Sequence, residues 1–153
     1  DALISKADTD ALKEKMLSIA CLVTPNIPEA EVIAEMEIKN KADMEKAAIS
    51  INERYGCSVL IKGGHLMGDA SDVLLEKSEI VWFDGKRIEN SNSHGTGCTL
   101  SSAISANLAK GYDIKDAVHL AKEYVSKALS DMLNLGKGSG PLNHMFDLKS
   151  KFM

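Results

Sequence analysis

The residue types best suited to chemistry in this chain occur at positions 92–99, in the glycine-rich sequence NSHGTGCT. A helix is expected to follow this segment, and backbone amides at the positive end of a helix form a site for anions. Cys98 falls in the first turn of that helix, where the helix dipole favours the thiolate form of a cysteine. An ionisable thiol at the mouth of an anion site predicts phosphoryl transfer. A tight loop that merely caps the helix is the alternative interpretation, and the segment alone leaves it open.

Two common phosphate-binding motifs are absent from the sequence. A Walker A loop needs GxxxxGK followed by Ser or Thr, but Gly138 follows Gly136 and Lys137, and Asp131 occupies the place of the first glycine. A dinucleotide-binding fingerprint needs GxGxxG, and Leu100 stands where its third glycine belongs. The predicted anion site is therefore of another type.

Short apolar runs alternate with segments of helical periodicity along the chain. Strands are predicted at residues 20–23, 57–61, 72–75 and 79–83, with an Asp84-Gly85 hairpin turn leading to a further strand at 86–89. Helices are predicted at residues 9–20, 28–36, 41–55, 98–110 and 114–133. This alternation favours an α/β fold, in which a mostly parallel sheet with one antiparallel hairpin is flanked by helices on both faces. No internal domain boundary is visible.

The composition is that of a globular chain and argues against several classes of partner. Of the 153 residues, 44% are hydrophobic and 26% are charged, which is an ordinary balance. The net charge is −4 and no basic run occurs, so neither nucleic acid nor a membrane surface is an expected partner. The apolar runs are far shorter than the roughly 20 residues that a membrane helix needs. Cys21, Cys57 and Cys98 are widely spaced and odd in number, which favours reduced thiols and a cytoplasmic location.

Four segments of the chain, in order, resemble the hydroxymethylpyrimidine and phosphomethylpyrimidine kinases of thiamine biosynthesis, which are ribokinase-like. The segments are residues 24–30 (TPNIPEA), 59–65 (VLIKGGH), 94–99 (HGTGCT) and 138–144 (GSGPLNH). The resemblance covers essentially all of residues 1–153 but only the C-terminal portion of one such kinase domain. We therefore expect the N-terminal strands of the sheet, and much of the substrate pocket, to have no counterpart in this chain.

The resemblance implies an ATP- and Mg²⁺-dependent transferase. It would phosphorylate 4-amino-5-hydroxymethyl-2-methylpyrimidine and then the monophosphate of that alcohol. Cys98 is implied to be the catalytic base for the substrate hydroxyl, and Gly95, Thr96 and Gly97 are implied to form the anion hole for the transferring phosphoryl group. Most ribokinase-like kinases have aspartate in place of this cysteine. Cysteine is typical of the pyrimidine kinases and of some related pyridoxal kinases.

Further site residues follow from the other three segments. Lys62, Gly138 and Gly140 are implied to bind the nucleotide, and Asn26 and Glu29 are implied to support Mg²⁺, largely through water. Each role has a structural alternative: a solvated surface lysine, a plain connecting loop, or a helix start whose carboxylate complements the helix dipole.

Several other polar and sulfur-containing residues are assigned no role in chemistry. Asp72 and Asp84 are expected at turns or strand edges. Met16, Met132 and Met145 are expected to pack in the core or under loops.

Two rival functions remain open on the sequence. One is a pyridoxine or pyridoxal kinase of the same superfamily, which would share the ATP-binding half. The other is a non-catalytic phosphate- or nucleotide-binding fragment. The resemblance also implies a homodimer, or association with a complementary N-terminal fragment, and we expect this chain alone to be inactive.

Overall fold

A computed structural model of the chain describes residues 6–64, 71–85, 88, 90, 95–133, 135 and 140–147. The chain divides into two compact units, Asp1–Arg87 and Ile88–Met153. The described strands all lie in the first unit, and the second unit is built on two helices.

The described part of the first unit begins with a helix, and helices then alternate with strands. Its elements are α1 (Lys6–Lys15), a single 3₁₀ turn (Leu17–Ile19), β1 (Leu22–Val23), α2 (Ile27–Ala34), α3 (Lys41–Tyr55), β2 (Ser58–Lys62), β3 (Asp72–Glu76) and β4 (Glu79–Phe83). The predicted elements up to residue 83 are present in order. The first helix spans Lys6–Lys15 rather than 9–20, the first strand is limited to Leu22–Val23, and the helix that contains Pro28 ends at Ala34.

The four described strands form one sheet in the order β1-β2-β3-β4. Strands β1 and β2 are parallel, whereas β2–β3 and β3–β4 are antiparallel. The α/β class is confirmed, but the described sheet is mixed rather than mostly parallel. The reason is the length of the connections: β1 and β2 are joined through two helices, whereas β3 and β4 are joined directly by a hairpin.

The hairpin turn between β3 and β4 lies at Lys77 and Ser78. Their φ angles of 48° and 68° are both positive, as a two-residue turn between twisted strands requires. Neither residue is Gly or Asn, so the turn carries no strong sequence signal. The strand predicted at 86–89, and with it the Asp84-Gly85 hairpin, lies largely outside the described residues.

The core of the first unit lies between the sheet and helices α2 and α3. Its buried apolar side chains alternate along the strands and recur with helical spacing on the helices: Ile27, Ala30, Ala47, Ile51, Val59, Ile61, Val73 and Leu75. On the opposite face of the sheet, Leu60 and Leu74 are 0% exposed. Burial on both faces explains why β2 and β3 are continuous apolar runs.

Local signals set the ends of α3. The Oδ1 atom of Asn40 accepts a hydrogen bond from the backbone N–H of Asp43 at 3.0 Å, which caps the start of the helix. Gly56 ends it with a left-handed φ of 73°, a conformation that glycine adopts without strain. The helix predicted at 41–55 is therefore confirmed at both ends.

In the second unit, α4 (Thr96–Ala109) packs against α5 (Ile114–Ser130). The Oδ1 atom of Asp113 accepts from the N–H of Asp116 at 2.8 Å and caps α5. The helix ends at Ser130, three residues before the predicted end at 133. No helix in the described part of the chain is long and apolar enough to span a membrane.

The expected packing of three methionines is wrong. Met16, Met132 and Met145 are 57%, 50% and 68% exposed. Each lies next to the end of an element or in a turn, where no neighbouring element covers it. Met44 on α3 is instead the methionine found in the core of the first unit.

We expect Ile51→Ala to destabilise the chain by about 2–5 kcal/mol, because it deletes a side chain that is 0% exposed and leaves a cavity. Ile49→Ala, on the same helix but 38% exposed, is the matched control and should cost less than about 1 kcal/mol. Urea unfolding followed by circular dichroism measures both. Equal losses for the two variants would contradict the assignment of the core face of α3.

Candidate active site

Two of the predicted site residues, Asn26 and Lys62, lie together where β2 ends. The backbone N–H of Lys62 donates to the carbonyl of Pro25 at 2.9 Å, and Asn26 forms a parallel bridge with Lys62. On its other side, Lys62 is paired with Asp72 of β3. Asn26, Lys62 and Asp72 are therefore neighbours across three adjacent chain segments. The structure brings together the two motifs that contain TPN and KGG, although they are far apart in sequence.

Asn26 and Glu29 form a reciprocal cap at the start of α2. The Oδ1 atom of Asn26 accepts from the N–H of Glu29 at 2.9 Å, and the Oε2 atom of Glu29 accepts from the N–H of Asn26 at 2.8 Å. This capping box goes beyond the alternative that the sequence left open, a helix start whose carboxylate complements the dipole, and it satisfies two amides at the start of α2. The role of the pair with Mg²⁺ stays a prediction.

The chemistry of this pair nevertheless fits Mg²⁺ held through water. Both side chains offer oxygen atoms, and the residue Glu29 is exposed, so water has access to its carboxylate. Among the described residues no group of three or more His, Cys, Asp or Glu side chains could enclose a metal ion. An ion that keeps most of its waters needs no such group.

Asp72 is a residue whose importance the sequence analysis missed. It lies in β3 and is 7% exposed, rather than at an exposed turn, and its Oδ1 atom accepts from the N–H of Gly63 at 2.9 Å. A Cβ atom on Gly63 would lie 1.9 Å from the carbonyl oxygen of Ser71, so only glycine fits there without displacement. Asp72 and the buried Leu74 are two residues apart in one strand and therefore share a face of the sheet. This spacing is the signal that could have revealed the burial of Asp72.

Asp84 follows β4 and is exposed, as expected for a residue at a strand edge. Its Oδ1 atom accepts from the hydroxyl of Ser71 at 3.1 Å and lies 3.6 Å from the Nζ atom of Lys41. The Lys41 ammonium also lies 4.8 Å from the centre of the Trp82 ring. These contacts connect the end of β4 to α3 and to Ser71, the residue before Asp72.

In the second unit, the predicted anion hole coincides with the start of α4. Gly95 precedes the helix in a left-handed conformation with a φ of 82°, and the N–H of Thr99 donates to its carbonyl at 2.8 Å. The helix thus begins at Thr96, two residues before the predicted start at Cys98. The N–H groups of Gly97 and Cys98 come before Thr99, which donates the first hydrogen bond within the helix. They therefore lie at the positive end of the helix dipole.

The start of α4 differs from the starts of α2, α3 and α5. Side chains of Asn26, Asn40 and Asp113 cap α2, α3 and α5, whereas Gly95 provides no side-chain cap. Cys98 is exposed in the first turn of α4. Among the described residues, no side chain caps this helix start, and an exposed thiol lies in its first turn; the anion-binding role of the segment stays a prediction.

The C-terminal segment is described only in part. Gly138 lies outside the described residues, while Gly140 is buried. Beyond it, the hydroxyl of Tyr124 lies 3.2 Å from the Nδ1 atom of His144, and the Nδ2 atom of Asn143 donates to Asp131. These contacts hold the end of the segment against α5, and the nucleotide-binding roles of Lys62, Gly138 and Gly140 stay predictions.

Comparison with solved structures defines the class of fold. The chain superposes on pyridoxal kinase from Bacillus subtilis, solved as an ADP complex, with a TM-score of 0.86, 33% identity and coverage of 94% of this chain and 57% of that chain. It also superposes on phosphomethylpyrimidine kinase from Clostridium difficile, with a TM-score of 0.72, 38% identity and coverage of 84% and 51%. The fold is therefore that of the ribokinase-like vitamin kinases.

The sequence then defines the family. The family model described as phosphomethylpyrimidine kinase matches residues 1–143, and the chain belongs to this family. It is 39% identical over 144 residues to a hydroxymethylpyrimidine/phosphomethylpyrimidine kinase of Streptomyces coelicolor, covering 94% of this chain and 54% of that protein. The corresponding kinase of Rhizobium meliloti is 43% identical over 148 residues, with coverage of 94% and 56%. The chain thus spans about half the length of these relatives.

We expect the three thiols to differ in reactivity. Cys21 and Cys98 are exposed, whereas Cys57 is buried, and burial raises the pKa of the Cys57 thiol. A raised pKa leaves less thiolate at any given pH, so Cys57 should react with a thiol reagent at pH 8 at least about tenfold more slowly than the exposed thiols. Mass-resolved alkylation measures the three rates, and the urea-unfolded chain, in which all three should react alike, is the control. Fast labelling of Cys57 in the folded chain would contradict its place in the core.

Proposed function

We propose that this chain provides the C-terminal portion of one kinase domain that phosphorylates 4-amino-5-hydroxymethyl-2-methylpyrimidine and its monophosphate, using ATP and Mg²⁺. Membership of the phosphomethylpyrimidine kinase family supports the substrate. The observation that carries the chemistry is the start of α4, where Gly95 leaves the helix without a side-chain cap and Cys98 occupies the first turn.

The transferring phosphoryl group is assigned to this helix start. Its charge resides on peripheral oxygen atoms in a loose transition state, and the amides of the Gly95–Thr96–Gly97 segment are fixed donors for those oxygens. The substrate hydroxyl oxygen forms a bond to the γ-phosphorus, the bond from that phosphorus to ADP breaks, and the Cys98 thiolate accepts the hydroxyl proton. General-base assistance of this kind contributes roughly 10²–10⁴-fold to a rate.

Residues of the first unit and of the C-terminal segment are assigned to the nucleotide. The Lys62 ammonium neutralises charge on the ATP phosphates, and Gly138 and Gly140 contact the nucleotide. Mg²⁺, when bound, offsets charge on those phosphates, and Asn26 and Glu29 would hold its water shell. ADP and an ATP analogue are bound in the solved pyridoxal kinases of Bacillus subtilis and Staphylococcus aureus, which supports a nucleotide for the shared fold.

A second candidate is a pyridoxine or pyridoxal kinase. It is favoured by the TM-score of 0.86 with the Bacillus subtilis pyridoxal kinase, against 0.72 with the Clostridium difficile pyrimidine kinase. The family model and the curated relatives favour the pyrimidine substrate. The proposed homodimer, or pairing with a complementary N-terminal fragment, and the cytoplasmic location stay predictions.

To test the activity, the chain is assayed alone and joined behind the N-terminal part of the Streptomyces coelicolor kinase, with the pyrimidine alcohol and pyridoxine side by side. We expect the joined protein to prefer the pyrimidine and the chain alone to show little turnover.

In the joined protein, Cys98→Ala should lower kcat about 100-fold while the KM for ATP stays within about threefold. Cys21→Ala, which removes the other exposed thiol, is the control and should leave kcat unchanged. Normal turnover in Cys98→Ala would show that Cys98 is not the catalytic base.

The Mg²⁺ role of Asn26 can be separated from its cap. Asn26→Ala and Asn40→Ala each delete a helix-capping oxygen, so each should cost about 1 kcal/mol of stability. Only Asn26→Ala should raise the Mg²⁺ concentration needed for half-maximal activity of the joined protein. A magnesium titration of both variants gives the answer, and identical titration curves would leave Asn26 with its capping role alone.

A further inference from the structure

The segment that follows β2 is tied to the strands on both sides of it. The N–H of Lys62 donates to the carbonyl of Pro25, and the N–H of the next residue, Gly63, donates to the side chain of Asp72. Two consecutive amides are thus held from opposite directions. These two bonds define the orientation of the peptide that joins Lys62 to Gly63.

The contact between Gly63 and Asp72 is buried and leaves little room for adjustment. Gly63 is buried, Asp72 is 7% exposed, and the absence of a Cβ on Gly63 permits the carbonyl of Ser71 to approach. A hydrogen bond from an amide to a carboxylate is stronger than one between neutral groups, particularly where water is excluded. Without the carboxylate, a buried N–H would lose this partner, and two glycines would give the backbone freedom to leave its position.

We propose that Asp72 is a positioning residue for Lys62. Its carboxylate, by holding the N–H of Gly63, keeps the Lys62-Gly63-Gly64 segment in the conformation in which Lys62 contacts the phosphates of ATP. The inference rests on the proposed nucleotide-binding function of Lys62. It adds a residue outside the four motif segments, contributed by the neighbouring antiparallel strand.

The test compares four variants of the joined protein, in which the chain follows the N-terminal part of the Streptomyces coelicolor kinase, for ATP affinity, measured by titration calorimetry, and for thermal stability. Asp72→Ala removes the acceptor, while Asp72→Asn keeps an oxygen that the Gly63 N–H can reach. Leu74→Ala destabilises the same buried face of β3 two residues away, and Lys62→Ala removes the proposed phosphate contact. Exchange of the Gly63 amide with deuterium, followed by NMR, reports the hydrogen bond independently of nucleotide.

We expect Asp72→Ala to weaken ATP binding about tenfold, as Lys62→Ala does, and to accelerate exchange of the Gly63 amide. Asp72→Asn and Leu74→Ala should bind ATP within about threefold of the parent joined protein, even where Leu74→Ala melts at a lower temperature. If Asp72→Ala does not fold, Asp72→Glu, which displaces the carboxylate by one methylene, is used with the same expectation.

Different results overturn the two proposals. If Lys62→Ala weakens ATP binding but Asp72→Ala weakens it no more than Leu74→Ala, Asp72 has a structural role only and the inference is wrong. If the parent joined protein and its Lys62→Ala variant bind ATP equally, or neither binds, the proposed function of Lys62 is wrong and the inference fails with it. In that case the exchange of the Gly63 amide still shows whether Asp72 holds the backbone.

Discussion

The burial of β2 on both faces is the constraint on which the rest of the first unit depends. Val59, Leu60 and Ile61 are all 0% exposed, and β2 is paired on both edges. A shift of one residue would place the partly buried Ser58 or Lys62 at a fully buried position, so the register of this strand is strongly determined. The end of the strand therefore presents Lys62 at a defined place, with Asn26 on one side and Asp72 on the other.

Two polar interactions lie beside the end of β2. One is local in the sequence, whereas the other depends on the pairing of strands. The capping box of Asn26 and Glu29 is local, because its partners are separated by three residues on one helix. The bond from Gly63 to Asp72 joins two strands and forms only when they are paired. The local interaction stabilises the start of a helix, whereas the bond between strands controls the backbone beside a candidate phosphate-binding lysine.

The chain resembles two classes of kinase at similar levels of sequence identity. It matches pyridoxal kinases and pyrimidine kinases at similar identities, 33% and 38% for two solved structures. Identity at this level defines the common fold and does not distinguish the two alcohols. The family model, which describes phosphomethylpyrimidine kinase, is what favours the pyrimidine branch.

The sequence by itself determined the family and those helices whose ends carry local signals, such as α3 between Asn40 and Gly56. These features depend on residues close together in the chain. The anion-hole role of Gly95, Thr96 and Gly97 stays a prediction. Only the tertiary structure decided the mixed sheet, the hairpin turn at Lys77-Ser78 and the burial of Asp72. A pairing between strands is a non-local contact, and the alternation of apolar residues reports which side chains are buried but not which strand lies beside another. For that reason the neighbours of Lys62 could not be read from spacing alone.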